Sequence, residues 1–348
     1  MTRILLINQG HTDNIGDQAI DVVLAGFLAS QGHEIVHAPY ESRVEDRFDI
    51  PFDRMDVTQR IVMRMPHVMA RLNRNRIRDS LEHTGHVDAA VIGGGELLAG
   101  HWGFNSALLT WCRELHARNV PILLTGVSGN YLGGLNARYY EEALNLCAYV
   151  SARDHSTERI VAEKYGVHCQ YAPDVVFSYT KVFPESTDTE CNHICELCVP
   201  VEFDQSSFAS MHLASEHDYI DYLAQQLQHT EDDPRVIVTS TIMSDAQYPH
   251  HVAKELSDEY HLHAEARTGE NLDQFIELLR MSSRVVSARM HACILGLLFG
   301  CAIEPIPFRE KLKVFGEEYR SVDDIRPVSE ASYAGLVRLN DAIEHAIR

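Results

Sequence analysis

The sequence predicts an α/β protein built from two Rossmann-like domains that face a cleft, a GT-B-like architecture. Two observations predict this class. The chain opens with a buried strand, a polar loop, an amphipathic helix and a second strand, and strand and helix patterns then alternate towards the C-terminus. The length of 348 residues is also more than one hydrophobic core usually organises, which favours two domains.

The first domain is predicted to span 1–185. A strand over 3–8 leads through a polar loop into a helix that ends at Gly32, and a second strand follows over 33–40. Three later apolar runs are typical of buried parallel strands, and a further strand is expected over 168–179. In the first of these runs, "VDAAVIGGGELL", the glycines are expected to turn the chain from a strand into a helix.

The second domain is predicted to span 186–330. The polar stretch 180–193 contains a proline and is expected to be the linker. The last segment, 331–348, is expected to form a helix that crosses back to the first domain. Within the second domain we expect strands over 194–203, 235–240, 284–288 and 301–307, and helices near 215–229, 247–259, 271–282 and from Met290 onwards.

Composition excludes several classes of protein. A hydrophobic content of 45% with 23% charged residues is typical of a globular chain. The formal net charge of −20 argues against a general nucleic-acid binder, although a local pocket can still be positive and take a small anion. The first apolar run is too short for a signal peptide and the longest is too short for a membrane span, so a cytoplasmic protein with reduced cysteines is expected. The histidines follow no metal-binding pattern, and no metal site is predicted.

The segment 60–78 reverses the charge of the chain locally, with six arginines and no acidic residue. One interpretation is a solvated helix face. The other is a patch that contacts an anionic lipid surface or a diphosphate-linked carrier, which would make the protein peripheral at the inner face of the membrane.

Polar clusters follow several predicted strands. Asn14, Gly16 and Asp17 follow the first strand, and Gly94, Gly95 and Glu96 end the third. Arg153 and Asp174 follow two later strands. Asp17 is equally consistent with a helix N-cap, and the glycines with close packing of a helix. Because ligands of open α/β sheets bind at the carboxyl ends of the strands, these clusters predict a site for an anion and a polyhydroxyl partner.

The stretch "SARMHACILGLLFG", 287–300, places Arg289 and His291 directly before an apolar run that predicts a buried helix. A structural interpretation makes Ser287 the helix cap and the arginine a solvated side chain. In the functional interpretation, the helix N-terminus and Arg289 bind an anion, and His291 lies beside them as a proton donor.

The segments "DNIGDQAI", "VIGGGELL", "SARDHSTERI", "APDVVFSY" and "SARMHACILGLLFG" together resemble the polysaccharide pyruvyl transferase family in order and approximate spacing, from about residue 5 to 320. The most specific elements are the Asn-x-Gly-Asp loop and the Arg-x-His-Ala helix start. The sequence departs from the family pattern at Glu304 and Pro305, where a plainer apolar strand is common.

The resemblance implies an enzyme that transfers the pyruvyl group of phosphoenolpyruvate to a sugar of a polysaccharide or its precursor as a ketal and releases phosphate. It implies no cofactor, because phosphoenolpyruvate is a co-substrate. The second domain would bind this donor and the first the saccharide acceptor, free or lipid-linked. The resemblance implies Arg153, Arg289 and His291 as donor-binding residues. The charges and the chemistry of the reaction add Lys311 as a further donor-binding residue and predict His291, Asp17 and Glu96 as catalytic residues. The predicted acceptor-side residues are Asn14, Asp17, Gly94, Gly95 and Asp174.

Three other hypotheses stay open. A GT-B chain could be a nucleotide-sugar glycosyltransferase, or a homologue that binds a glycan without catalysis. Cys191, Cys195 and Cys198 have the CxxxCxxC spacing of a radical S-adenosylmethionine enzyme. Against that, the last two cysteines lie in a predicted buried strand, and cysteine packs well in cores.

Overall fold

The computed structural model describes residues 1–41, 66–98, 102–187, 194–227, 235–242, 245, 247–269 and 271–348. These residues form two compact units. Unit 1 comprises Met1–His11, Ile20–Ser178 and Val328–Arg348, and unit 2 comprises Thr12–Ala19 and Tyr179–Pro327. Each unit contains one parallel sheet, so the predicted α/β class with two Rossmann-like units is confirmed.

Unit 1 has a six-stranded parallel sheet with the strand order β2-β1-β3-β4-β5-β6. The strands are β1 (Arg3–Asn8), β2 (Glu34–Pro39), β3 (Ala89–Leu98), β4 (Ile122–Gly129), β5 (Tyr149–Ala152) and β6 (Gln170–Tyr171). The helices that follow them are α1 (Ile15–Ser30), whose first residues belong to unit 2, α2 (Pro66–Thr84), α3 (Trp102–His116), α4 (Leu135–Asn145) and α5 (His155–Tyr165).

Strands of a parallel sheet are buried on both faces, which explains why the strands of unit 1 are continuous apolar runs. The four residues Ile4–Ile7 of β1 are each 0% exposed. Trp111 of α3 is also fully buried, and its indole Nε1 donates a hydrogen bond to the Tyr40 carbonyl at 3.0 Å. Because this hydrogen bond satisfies the indole N–H, the large aromatic ring can be buried in the core beside the sheet.

The predicted glycine turn in "VIGGGELL" is wrong, because β3 runs from Ala89 to Leu98. Gly94 and Gly95 adopt positive φ angles of 75° and 92°, and the pairing of β3 with β4 shifts register between Gly95 and Leu98. Glycine reaches these angles without steric cost, so the strand absorbs an irregularity here and continues. A Cβ at Gly94 would also overlap the side chain of Ile20 in α1.

Unit 2 has a five-stranded parallel sheet with the strand order β11-β10-β7-β8-β9. The strands are β7 (Cys195–Val199), β8 (Arg235–Val238), β9 (Ala264–Ala266), β10 (Ser282–Ser287) and β11 (Ala302–Pro305). The helices are α6 (Tyr179–Val182), α7 (Glu216–Leu227), α8 (Gln247–Asp258), α9 (Leu272–Met281), α10 (Met290–Leu298) and α11 (Glu310–Tyr319). The predicted helix starting at Met290 is confirmed, whereas β9 and α11 were not predicted.

The predicted strand over 168–179 is wrong for most of its length. Only Gln170–Tyr171 pair with the sheet, and Val175–Ser178 form a 3₁₀-helix. The Asp174 carboxylate accepts a hydrogen bond from the Val176 N–H at 3.0 Å, which favours a turn over an extended chain. In the predicted linker, residues 180–187 are largely helical turns, and 188–193 lie outside the described residues.

The C-terminal helix α12 (Arg326–Ala346) begins before the predicted residue 331, and from Val328 onwards it belongs to unit 1. Ser332 Oγ donates a hydrogen bond to the Asp174 carbonyl at 2.9 Å. Leu336, Leu339 and Ile343 are all at most 1% exposed. The helix is therefore anchored by an apolar stripe and by a buried hydroxyl.

Glu304, which departs from the family pattern, is buried in β11 with cationic partners. Its Oε2 lies 2.6 Å from Arg320 Nη2 and 3.3 Å from Arg284 Nη2. The two arginines compensate the buried carboxylate, so the sheet tolerates an acid at this position. Among the helices of the described residues, none combines the length and apolar character that crossing a bilayer requires.

Candidate functional site

Two helices of unit 2 begin at the same edge of its sheet. Strands β10 and β11 are parallel neighbours with Ser287 paired to Pro305, and the Ile306 N–H donates to the Ser287 carbonyl at 2.8 Å. Helix α10 begins after β10 with Arg289 as its N-cap residue, and α11 begins after β11 with Arg309 as its N-cap residue. Neither N-cap side chain caps its own helix. This edge therefore combines two arginines with the positive ends of two helices.

Ser287 does not serve as the N-cap residue of α10. Its hydroxyl accepts a hydrogen bond from the Arg289 N–H at 2.9 Å and lies 3.0 Å from the Arg289 carbonyl oxygen. These local hydrogen bonds fix the backbone from which the Arg289 side chain extends.

The Arg289 guanidinium is enclosed by polar groups of unit 2. Its side chain is 31% exposed, its Nη2 lies 3.7 Å from Asp245 Oδ2, and its Nε is buried without a hydrogen-bond partner. Burial lowers the pKa of Arg289 from its ordinary value, Asp245 opposes that effect, and the positive charge of Arg309 adds to it. The group stays cationic because an arginine pKa is far above neutrality.

Asp245 is the carboxylate closest to Arg289 in the described part of unit 2. Burial raises the pKa of Asp245 from its ordinary value, Arg289 lowers it, and the nearby Asp13 raises it further. At 3.7 Å with both side chains more than 30% exposed, the pair is loose rather than a tight ion pair. Arg289 can therefore exchange this partner for a stronger anion.

The Asn-x-Gly-Asp loop lies against the start of α10. Gly16 packs so closely on His291 that a Cβ at Gly16 would overlap the imidazole Nδ1. Asn14 Oδ1 accepts a hydrogen bond from the Gly16 N–H at 2.9 Å, and the Ile15 N–H donates to the Thr241 carbonyl at 2.8 Å. The loop is thus fixed beside the carboxyl end of β8, and glycine is required where it meets His291.

Asp17 completes this part of the site. Its Oδ2 lies 3.4 Å from Thr12 Oγ1, and its negative charge acts on Arg289. Lys311 lies in the first turn of α11 with an exposed side chain. The structure therefore brings Asn14, Asp17, Arg289 and His291 together in unit 2, which sequence spacing alone does not show.

Arg153 lies in unit 1 and is paired there. Its Nη1 donates to Asp174 Oδ2 at 2.8 Å and its Nε to Ser128 Oγ at 3.0 Å. The two charged side chains are 7% and 6% exposed. Arg153 and Asp174, predicted for donor and acceptor respectively, thus form a buried ion pair with each other, and that pair holds the turn after β6.

Glu96, Gly94 and Gly95 also lie in unit 1, on β3. The Glu96 side chain is partly exposed. Gly94 is required by packing against Ile20, whereas a Cβ at Gly95 would meet no atom within 4 Å. Of the two glycines, only Gly95 leaves room for another molecule near the backbone.

The arginines of 60–78 divide between structural and exposed positions. Arg76 donates to the carbonyls of Pro39 and Tyr40 at 2.7 and 2.6 Å, and Arg78 Nε lies 2.8 Å from Glu114 Oε1. Arg71 and Arg74 are exposed on α2. Residues 60–65 lie outside the described residues.

The cysteine motif does not resemble a cluster-binding loop in its described part. Cys195 and Cys198 lie in β7 and are 1% and 0% exposed. Burial raises the pKa of Cys198 to about 12, which disfavours the thiolate that iron requires. Cys191 lies outside the described residues, and in the part of the chain that the structure describes no group of three His, Cys, Asp or Glu residues could hold a metal ion.

Sequence reasoning missed Arg309, Asp245 and Tyr219. Arg309 follows a buried strand in "PIPFREKL", the same strand-then-arginine signal that identified Arg289. Asp245 and Tyr219 carry no local signal, because only the folded chain brings them to Arg289.

A family model described as polysaccharide pyruvyl transferase matches residues 14–302. A search of curated proteins gives no match.

Several solved structures share the fold. UDP-GlcNAc 2-epimerase from Neisseria meningitidis, bound to UDP-GlcNAc, has a TM-score of 0.51 at 11% identity, with 100% of this chain and 94% of the other covered. A putative UDP-N-acetylglucosamine 2-epimerase from Listeria monocytogenes has a TM-score of 0.51 at 11% identity, with 100% of this chain and 90% of the other covered. The UDP-GlcNAc 2-epimerase of Methanocaldococcus jannaschii has a TM-score of 0.50 at 8% identity, with 97% of this chain and 99% of the other covered. At these identities the likeness extends to the fold alone, and it agrees with the predicted GT-B-like class.

Proposed function

This chain belongs to the polysaccharide pyruvyl transferase family, and from that premise we propose that it transfers the pyruvyl group of phosphoenolpyruvate to a saccharide as a ketal. One observation carries the proposal. The Asn-x-Gly-Asp loop and the Arg-x-His start of α10, far apart in sequence, are packed against each other through Gly16 and His291.

Phosphoenolpyruvate suits the charges of this place in unit 2. It carries a carboxylate and a phosphate, and a guanidinium binds either group with two parallel hydrogen bonds. Arg289 offers such a group beside the N-terminus of α10, where backbone N–H groups favour an anion. We assign Arg289 as the principal donor-binding residue and Lys311 as a further cation of the same edge.

The proposed reaction joins two hydroxyl groups of a sugar to C2 of phosphoenolpyruvate. One hydroxyl adds to C2 while C3 takes a proton and becomes a methyl group. The C2–O bond to phosphate then breaks, and the second hydroxyl attacks C2. The two hydroxyl groups lose two protons, of which C3 takes one and the leaving phosphate the other.

His291 is the proposed acid and base for these transfers. Imidazole exchanges protons near neutral pH, and His291 lies in the first turn of α10, two residues after Arg289. Asp17 is proposed to orient His291 or an acceptor hydroxyl, and Asn14 to hold the loop that carries it.

The residues of unit 1 are proposed for the acceptor. Glu96 and the open backbone at Gly95 are candidates to bind or deprotonate sugar hydroxyls. We propose that Arg153 and Asp174 act as a pair that shapes this edge, because each already compensates the charge of the other.

The acceptor is proposed to be a saccharide, free or lipid-linked. Arg71 and Arg74, exposed on α2, support contact of this chain with an anionic membrane surface or a diphosphate carrier.

A thermal-shift panel tests the function. Phosphoenolpyruvate, UDP-GlcNAc and S-adenosylmethionine are each added to the full chain, to Arg289→Ala and to Arg235→Ala, a control that removes an exposed arginine at the amino end of β8. A ligand at about 100 times its Kd stabilises by roughly 2.7 kcal/mol. We expect a shift with phosphoenolpyruvate that Arg289→Ala loses and Arg235→Ala keeps.

A shift with UDP-GlcNAc alone would favour the glycosyltransferase hypothesis, and a shift with S-adenosylmethionine alone would favour the radical enzyme. An unchanged phosphoenolpyruvate shift in Arg289→Ala would contradict the assigned site.

A further inference from the structure

We propose that Arg309 forms a two-guanidinium clamp with Arg289, and that this clamp binds the phosphoryl group of an anionic substrate. The inference rests on the proposed function for the identity of that substrate, the phosphoenolpyruvate donor. The clamp itself rests on the arrangement of unit 2.

The topology places the two arginines at one edge. β10 and β11 are parallel and paired in register up to Ser287 and Pro305. Arg289 follows Ser287 by two residues and Arg309 follows Pro305 by four, so both extend from the carboxyl ends of neighbouring strands.

An aromatic stack supports the Arg309 side chain. The Arg309 guanidinium carbon lies 5.2 Å from the centre of the Phe308 ring. Phe308 stacks on Phe208 at 4.8 Å, and Phe208 contacts Tyr219 at 4.5 Å. Tyr219 is fully buried and interacts electrostatically with Arg289. A connected set of rings thus underlies Arg309 and continues to Tyr219.

Neither guanidinium of this edge is held in a close ion pair by the described residues, and the negative charge of Asp17 acts on Arg289 from beyond ion-pair distance. Among the described residues no carboxylate lies within the 4.0 Å ion-pair limit of Arg309. The carboxylate nearest Arg289, Asp245, lies 3.7 Å away in a loose pair. Two neighbouring cations repel each other. A dianion placed between them is attracted by both, and this attraction offsets their repulsion.

The geometry favours a phosphoryl group over a carboxylate. A carboxylate is satisfied by one guanidinium through two parallel hydrogen bonds, whereas a phosphoryl group has three oxygens and a charge near −2. Two arginines at the uncapped starts of α10 and α11 match the larger charge and the additional acceptor oxygens. Arg309 is exposed, so it can adjust as the anion enters.

The test measures binding of inorganic phosphate and of phosphoenolpyruvate to the full chain by isothermal titration calorimetry. The variants are Arg309→Gln, Arg309→Lys and Arg289→Gln. The control is Arg235→Gln, which removes an arginine at the amino end of β8 in the same sheet. Because Arg309 is exposed, its variants are expected to keep the wild-type Tm, which is checked first.

We expect Arg309→Gln to weaken both ligands by about ten- to hundredfold, the loss of charge-assisted hydrogen bonds. Arg309→Lys should lose less, because it keeps the charge without the planar fork. Arg235→Gln should bind both ligands as wild type does.

The outcomes separate the clamp from the function. Wild-type affinity of Arg309→Gln for both ligands would overturn the clamp and leave the proposed function standing. Binding of phosphate that depends on Arg309, without binding of phosphoenolpyruvate, would support the clamp and overturn the proposed donor. Binding of neither ligand by the wild-type chain would overturn both.

Discussion

His291 and Arg289 show how neighbours define the role of a side chain. Both stand at the start of a helix whose residues Ala292–Leu295 are fully buried, and local sequence alone allows them to be solvated there. In the fold, Gly16 packs on the imidazole, and the Asp245 carboxylate lies 3.7 Å from the guanidinium. The contact with Gly16 restricts the imidazole to one place, which a proton-transfer role requires.

Gly16→Ala tests the contact with His291. Gly16 is at the start of α1, where alanine would otherwise stabilise a helix by up to about 1 kcal/mol. Because the new methyl group would overlap the imidazole, we expect His291 to shift and kcat/KM to fall by about tenfold or more.

The measurement is the steady-state rate together with the Tm. Gly133→Ala is the control, since a Cβ there meets no atom within 4 Å. A Gly16→Ala protein that is more stable and fully active would show that the overlap relaxes without moving His291.

Asp245→Asn tests whether this carboxylate competes with an anion for Arg289. Exposed ion pairs contribute about 0.2–1 kcal/mol, so removing the negative charge should tighten phosphate binding by about two- to fivefold. The measurement is calorimetric titration with phosphate. Weaker binding by Asp245→Asn would mean that the carboxylate positions Arg289 instead.

Arg153→Met tests the buried pair of unit 1. Loss of one partner leaves a buried charge uncompensated, so we expect the free energy of unfolding to fall by about 3 kcal/mol. Arg113→Met, which breaks an exposed pair with Glu142, should lower it by less than about 1 kcal/mol.

Denaturant unfolding compares the two variants, and adding Asp174→Asn to Arg153→Met should recover part of the loss. If both arginine variants lost the same free energy of unfolding, the Arg153–Asp174 pair would stabilise the fold no more than an exposed ion pair does.

Among the elements, α12 shows how a terminal helix becomes part of a core. Its sequence alternates apolar and polar residues with helical spacing, so its existence is predictable. Its packing depends on Ser332, whose hydroxyl lies 2.6 Å from Ser178 Oγ, and on Gly335, where a side chain would meet Ala172. These small residues let the helix approach the end of unit 1 closely.

Leu339→Ala tests that packing. Leu339 is 0% exposed, so its truncation should lower the free energy of unfolding by about 2–5 kcal/mol. Val337 lies on the same helix and is 41% exposed, so Val337→Ala should change the free energy of unfolding by less than about 0.5 kcal/mol. Denaturant unfolding of both variants provides the comparison, and a small loss in Leu339→Ala would mean that the helix is loosely attached.

The complete chain combines a net charge of −20 with local positive regions. Long-range repulsion of anions is screened within about 10 Å at 0.1 M salt, so an arginine site can still bind phosphate. The same reasoning applies to α2, where Arg71 and Arg74 are exposed on an otherwise acidic protein.

Sedimentation with vesicles that contain phosphatidylserine tests the proposed membrane contact. Each basic residue near an anionic surface contributes about 1 kcal/mol, so Arg71→Gln with Arg74→Gln should reduce binding by roughly thirtyfold. Arg113→Gln with Arg118→Gln is the control, since both arginines are paired with glutamates. Equal binding of the wild type and the α2 variant would contradict the contact.

Periodicity and apolar content were sufficient to predict the α/β class, strands β1–β5, β7, β8, β10 and β11, and the helix from Met290, because these depend on burial along one segment. Motif order singled out Arg289, His291 and the Asn-x-Gly-Asp loop as candidates for the site, and their roles stay predictions. The turn at Asp174 and the irregularity at Gly95 depend on particular hydrogen bonds and φ angles that no local pattern encodes.

Which charges meet depends on long-range contacts. The fold pairs Arg153 with Asp174, 21 residues apart, and brings the Asn-x-Gly-Asp loop to His291. It also places Asp245 near Arg289, although Asp245 has no distinctive motif. Sequence establishes which segments are buried, since burial follows from apolar composition, whereas the pairing of buried polar groups depends on geometry between distant segments and is known only from the folded chain.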